Sequence, residues 1–388
     1  MIVRRFVVLL AFLVAGCSSL TDLKSDVSER LFGAEVKDPP VPLADFKQTA
    51  VAKLVWHANV GNSDVYDFSP AQDRSAIFAA SADGEIVRLD AANGQQVWRI
   101  SAGEKLSGGV GAGENLVLVG TPKGVVLAFD QNGKALWKAH VSSEVLSAPR
   151  VSAGVVVVRS GDSRIYGLDA IDGKRKWVYE RATPSLSLRS AAGVVLDGGA
   201  AYAGFAGGKL VAIKADDGKV LWEAAVAQPK GSTEIERIAD ITSQPVVDGR
   251  LVYAVAFQGR VAAIDRQTGR VLWTRDISSY NGLGADSTRV YVSHHAGAVY
   301  ALDYNSGKSY WRQGALINRQ VTAPMAIGPY IAVGDLEGYL HFLSRDDGSF
   351  VARIKTEGSA IMAQLTGLDG STVLAQTRGG GLYAISVK

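Results

Sequence analysis

Five histidines, one cysteine and 38 aspartates and glutamates are the side chains of this 388-residue sequence that could hold a metal, attack a carbonyl or move a proton. A structural or catalytic metal needs three or four such groups converging on one point. His57, His140 and His341 stand apart from other ligand types, and His294-His295, read as part of a strand, would point to opposite faces. No ligand cluster follows, so no metal is expected. A phosphate cradle needs a glycine-rich loop opening a helix, and a serine hydrolase needs a G-x-S-x-G elbow; neither pattern occurs. Many of the carboxylates recur at one place in a repeat, which suits them to turns rather than to acid–base work. The reading is therefore a protein with no catalytic set, no cofactor site and no enzymatic activity.

The thiol is a separate case. Arg4-Arg5, the apolar run Phe6 to Val14 and then small residues have the layout of a secretory signal, and the run is too short to cross a bilayer. Leu13-Val14-Ala15-Gly16-Cys17 resembles the lipobox of bacterial lipoproteins, in which the cysteine is acylated and becomes the mature N-terminus. That resemblance implies a signal peptide at 1–16 and lipid on Cys17. With Ser18 in place of the aspartate that marks inner-membrane retention, it also implies the outer membrane. Several acyl chains hold far more firmly than one. A chain with one cysteine has no internal disulfide. The formal charge of +3 falls by two when Arg4 and Arg5 leave, and no basic stripe suits nucleic acid. Residues 17–50 hold Asp38-Pro39-Pro40-Val41-Pro42 and no copy of the repeat, so they read as the lipidated N-terminus and a flexible tether. Extended Pro-rich chain reaches about 3.1 Å per residue. Leu20, Leu23, Val27 and Leu31 fall near helical spacing and suggest a short amphipathic turn.

The element behind residues 51–388 is a hairpin that returns throughout. In Gly259 to Trp273, Val261-Ala262-Ala263-Ile264 alternates as a half-buried strand does, Asp265 to Gly269 makes the turn, and Val271-Leu272-Trp273 begins the return. Asp bonds nearby amides and Gly accepts the positive φ of a bulged loop. Copies end at Trp98, Trp137, Trp177, Trp222, Trp273 and Trp311; a degenerate copy has Ser344 and Ala352 at the Asp and Trp places, and the last stops after Ser386. Val51 to Trp56 supplies the half that this last copy lacks, so Trp56 joins the same series. Eight units of about 42 residues, each with another strand pair upstream, predict an all-β fold: an eight-bladed β-propeller of four-stranded antiparallel blades, closed by strands from both termini. Small residues stand two before the Asp in most units (Ala128, Gly167, Ala212, Ala263, Ala301 and Ala384), leaving a gap for a neighbouring indole. The seven tryptophans thus read as blade-docking residues.

Blade strands are constrained and connectors are not. The Trp-to-Trp intervals are 42, 39, 40, 45, 51 and 38, and the two long ones place extra chain at Arg181 to Ser190 and at Ala224 to Thr242. Both join an outer strand to the next inner strand, so both emerge on one face, side by side, as the third and fourth connectors counted from that of the closing blade. Thr233 and Glu236 have capping-box spacing. Leu186 and Leu188 beside Arg189, facing Asp240 across a groove, would form an apolar patch with charged rims, as partner sites do. Alternatively, both leucines enter the next inner strand and pack inside.

The repeats resemble those of quinoprotein dehydrogenases, whose propellers hold a quinone on the axis, and a quinone-dependent dehydrogenase is the alternative reading. Those enzymes carry long inserted loops and often an adjacent cysteine pair, which this chain does not have. From the lipobox through all eight units, and in Ser185-Leu186-Ser187-Leu188-Arg189, Gly231 to Arg237 and Asp240, the chain more closely resembles the BamB family, propeller lipoproteins of the outer-membrane β-barrel assembly machinery. The resemblance implies a non-catalytic factor that binds the periplasmic domains of the central barrel subunit through Leu186, Leu188, Arg189 and Asp240. The family's second acidic residue, two after Asp240, is Thr242 here. Unfolded barrel chains are a further expected partner, by adding a strand to an exposed blade edge.

Overall fold

Alternating strands with one face of each blade turned to its neighbour pair into eight antiparallel sheets of four in the computed structural model, which describes residues 39–182 and 184–388. The fold is the expected eight-bladed β-propeller. Cys17, the signal peptide and the amphipathic turn lie outside the described residues. Blade one holds the strands Ala71–Asp73, Ala76–Ala80, Glu85–Asp90 and Gln96–Ser101. Blade eight takes Thr366–Gly367, Thr372–Gln376 and Gly381–Val387 from one end of the chain and Ala52–Asn59 from the other. The register runs from Ala52↔Val387 to Asn59↔Gly381, with a bulge between Leu54 and Trp56. The N-terminal strand therefore continues past Trp56, where the repeat alone would have ended it.

The inner strands are short and touch one another in sequence, from Ala71–Asp73 through Gly108–Gly113, Arg150–Ser152, Val195–Asp197, Val246–Asp248, Leu283–Ala285 and Met325–Ile327 to Thr366–Gly367. Thr366 Oγ1 donates to Pro70 O at 3.0 Å and joins the last blade to the first. The turn chemistry is as expected. Asp265 Oδ1 accepts from the amides of Gln267 (3.2 Å) and Thr268 (2.9 Å), and the Gly269 amide returns to Asp265 O at 2.9 Å with φ of +71°.

Each indole makes two contacts. Within its own blade it lies over the residue across the strand, which is Ala or Gly in every case but Trp98, whose partner is Arg88, as in Ala263↔Trp273 and Gly167↔Trp177, where a β-carbon on Gly167 would fall 2.1 Å from the ring. The gap is thus filled from the same blade. Toward the next blade each Nε1–H donates to a turn carbonyl: Trp56 to Ala91, Trp98 to Gln131, Trp137 to Ala170, Trp177 to Ala215, Trp222 to Arg266, Trp273 to Tyr304 and Trp311 to Arg345, all between 2.8 and 3.1 Å. The ring also covers that turn's glycine; a β-carbon on Gly269 would meet Trp222 at 2.8 Å. A hydrogen-bonded aromatic packed on both sides costs about 3–5 kcal/mol to truncate.

Blade seven departs from the pattern for a physical reason. Its outer strand, Phe350–Lys355, carries Ala352 at the indole place because blade eight, built from the two chain ends, has no outer hairpin turn to receive an indole. The missing volume is restored from the middle strand, where Phe342 stands between Ala332 and Ala352 in the place that every other blade except blade one, with Arg88, gives to Ala or Gly. In place of an indole dock, residues 41–50 run along this blade. Arg319 Nη1 donates to Val41 O (2.9 Å), Arg353 Nη1 to Ala44 O (3.2 Å), and the amides of Thr49 and Ala50 to Val351 O (3.0 and 3.1 Å). Phe46 stacks on Phe350 at 5.4 Å. The stretch assigned to the tether up to residue 50 is therefore bound to the propeller from Val41 onward.

The two arginines are held by a buried chain: Arg319 Nε to Asp335 Oδ2 (2.7 Å), His341 Nε2 to the same oxygen (2.9 Å), and Arg353 Nε to His341 Nδ1 (3.1 Å). His341, which sequence left standing alone, is fully buried in this chain. Arg353 can only donate, so Nδ1 accepts and Nε2 carries the proton, which describes a neutral ring.

Candidate docking site

The two long connectors emerge side by side, as expected, between blades three and four and between blades four and five. Counted from the closing blade's, they are the fourth and fifth rather than the third and fourth. Three hydrogen bonds stitch them together: Ser185 Oγ to Glu234 Oε2 (3.2 Å), the Leu188 amide to Asp240 Oδ2 (2.7 Å) and Ser190 Oγ to Thr242 O (3.2 Å). The second connector contains one helical turn closed by the expected capping box. The Glu236 amide donates to Thr233 Oγ1 (3.2 Å), while Glu236 Oε2 accepts from the amides of Ser232 (2.7 Å) and Thr233 (3.1 Å).

Leu186 is 41% exposed and Leu188 half-buried, and both precede the inner strand Val195–Asp197 rather than entering it. Ile235, 66% exposed, crowns the second connector. Sequence reasoning passed over it, although an isoleucine between Glu234 and Glu236 in a capped turn was a legible signal. Arg189 is exposed and forms an ion pair with Glu144 of the preceding connector at 3.4 Å. The Glu144 carboxyl lies below the ordinary range because Ser143 bonds it, its own amide and Arg189 adding to that against partial burial.

Asp240 is placed differently from the expectation. It is 2% exposed, so it is no rim charge. Its second oxygen, Oδ1, accepts from the Gly207 amide of blade four at 2.9 Å. Beside it Arg159, 7% exposed, donates to Ala192 O at 3.2 Å and lies 5.3 Å over the Phe205 ring. Burial pushes the Arg159 guanidinium down to about 10, and the Asp240 charge opposes that shift. These residues, with Ser187, Leu188 and Ser190, line a cavity of about 230 Å³ beneath the first connector. Asp240 and Arg159 thus form the floor on which Leu186, Leu188 and Arg189 are set. Thr242, at the second acidic place, donates from Oγ1 to Tyr280 O at 3.4 Å. An apolar crest above a fixed charged base can seat a partner.

His294 and His295 leave the strand at Ser293 and lie in the following turn, their rings 4.0 Å apart, not on opposite faces. Among the described residues no three His, Cys, Asp or Glu side chains are grouped to hold a metal.

The family model described as outer membrane protein assembly factor BamB matches residues 82–313. The chain is 41% identical to the protein of that name from Nitrosomonas eutropha over 99% of its own length and 95% of the relative's. It is 43% identical to that from Burkholderia pseudomallei over 89% and 90%. The crystal structure of BamB from Moraxella catarrhalis superposes with a TM-score of 0.80 at 29% identity, covering 87% of this chain and all of that one. A quinohemoprotein alcohol dehydrogenase from Comamonas testosteroni superposes at 0.70 with 13% identity over 92% and 82%, a likeness of fold alone.

Proposed function

Since the chain belongs to the family of outer membrane protein assembly factor BamB, we propose that it is a non-catalytic lipoprotein scaffold of the complex that assembles outer-membrane β-barrel proteins. It is anchored to the outer membrane through Cys17, faces the periplasm, and binds the periplasmic domains of the central barrel subunit. Its mechanism is positional. The paired connectors seat one of those domains and so orient the barrel subunit's mobile modules toward an incoming chain.

The observation that carries this reading is the stitched pair of connectors, which lifts Leu186 and Ile235 into solvent over the Arg159 and Asp240 floor. Exposed apolar side chains held on a rigid base are suited to become the buried centre of an interface. Arg189 at their margin acts on register and association rate more than on affinity.

The double variant Leu186→Ala, Arg189→Ala tests it. Losing a buried leucine contact is worth about 1.5–3 kcal/mol, so binding to the barrel subunit should weaken about ten- to 150-fold. The melting temperature should stay within a degree or two of the parent, because both side chains are exposed in the free protein. Undiminished co-purification with the barrel subunit would overturn the assignment of the site.

A further inference from the structure

A second cavity, of about 320 Å³, lies on the central axis at the end where the connectors meet the inner strands, and residues in or just ahead of all eight inner strands line it. Its chemistry is one-sided. The one carboxylate among its described lining residues, Asp67, is bound by Arg378 Nη2 at 3.2 Å. Arg189, at its edge, is paired with Glu144. The half-buried side chain of Arg150, the first residue of the blade-three inner strand, has neither a hydrogen bond nor an ion pair with any described residue. Burial lowers its pKa with no anion opposing the shift. Two further groups that line the same cavity, Ser243 Oγ and Asn281 Nδ2, are buried and find no partner among the described residues.

Native proteins leave few buried donors unmatched, and a half-buried cation that faces a cavity with no anion of its own attracts one there. Three unmatched groups that can all donate, gathered around one cavity, describe a site short of an acceptor. A guanidinium offers a planar fork that fits the two oxygens of a carboxylate, and serine and asparagine can bond the lone pairs that remain. Volumes near this one suit small ligands.

We propose that the axial cavity binds a carboxylate, with Arg150 as its ion partner and Asn281 Nδ2 and Ser243 Oγ as its further donors. The carboxylate is carried either by a free small acid or by the C-terminus of a polypeptide; both present the same group to Arg150.

Titration calorimetry on the purified full-length lipoprotein in detergent tests this with three probes: succinate, a tripeptide with a free C-terminus, and the same tripeptide amidated. Succinate or the free-acid peptide should bind, the amidated peptide at least about tenfold more weakly than its acid form, and whichever binds names the source. Arg150→Ala should weaken binding by at least about tenfold, with Arg150→Lys in between. The melting temperature of Arg150→Ala should equal or exceed the parent's, since the variant removes an unpaired charge; a merely structural arginine would lower it. Should Arg150→Ala fail to fold, Asn281→Asp, which puts a carboxylate on the wall, must abolish binding instead. No heat of binding from either free-acid probe up to about 10 mM, or undiminished binding to the variants, would overturn the proposal.

Discussion

Asp240→Ala separates a residue that touches a partner from one that holds the touching residues in place. The carboxylate accepts the amides of Leu188 at 2.7 Å and Gly207 at 2.9 Å and opposes the charge of the buried Arg159. Removing it leaves two partly buried amides unmatched, at about 1–3 kcal/mol each, and a buried cation without its nearby anion, worth about 3–5 kcal/mol on its own. These effects share one site and do not add, so the expected loss of global stability is about 3–5 kcal/mol. Locally, the Leu188 amide loses its acceptor, and a loss of about 1–3 kcal/mol should speed its hydrogen exchange about five- to 150-fold. Exchange measured by mass spectrometry on the peptide spanning 185–190 reads this directly, beside co-purification of the barrel subunit. Asp240→Asn keeps one acceptor oxygen and should fall between. If the Leu188 amide stays as protected as in the parent while partner binding collapses, Asp240 acts by contact and the floor described above is wrong.

Trp273→Ala removes a dock that ends in a 3.1 Å bond to Tyr304 O and should cost about 3–5 kcal/mol in a denaturant titration, whereas an exposed outer-strand residue such as Val97→Ala should cost under about 0.5 kcal/mol. Phe46→Ala removes the stack on Phe350 and should lower stability by about 1–2 kcal/mol, read as a shift in the thermal midpoint, although Phe46 belongs to no blade. Burial holds the His341 pKa below its unfolded value of 6.5 against the pull of Asp335, so its contribution is complete above 6.5 and is lost as pH falls through the lower folded value. His341→Asn should therefore flatten the decline of melting temperature between about pH 7 and pH 5; an equal slope in both proteins would refute this. The Asp335 carboxyl is also lowered, since its bonds to His341, Tyr339 N and Arg319 outweigh its burial, so a second loss that begins below 3.8 should be smaller in the variant, which lacks the His341 bond.

The ring was legible because its signal is short-ranged and repeated. Asp265, Gly269 and Trp273 lie within a few positions of one another, and the same constraint recurs in every blade that has a turn to dock. The length excess at 181–190 and 224–242 located the docking site for a similar reason, since connectors alone absorb added residues. Asp240 was misplaced because its amide partners stand 52 and 33 positions away, and a carboxylate in a loop reads as a surface charge until those amides are seen. Arg159 was missed altogether: one arginine ending a run of valines carries no periodic mark. The binding of residues 41–50 was hidden for the same reason, because Arg319 and Arg353 reach back 278 and 309 positions to hold it. The exchange of sizes at Phe342 and Ala352 lay in view in the repeat, but it becomes intelligible only when blade eight is seen to offer no turn.

The pairing of Ala52–Asn59 with Gly381–Val387 also dictates an order of events. Among the described residues, strand Ala52–Asn59 has its sole ladder partner at Gly381–Val387, so seven blades can gather locally while the eighth waits for that later stretch to arrive. Bringing such distant segments together is the slowest kind of contact a chain makes. Until it forms, an unfinished circle presents raw strand borders at both ends, and a chain cut short by even that one terminal strand would keep them.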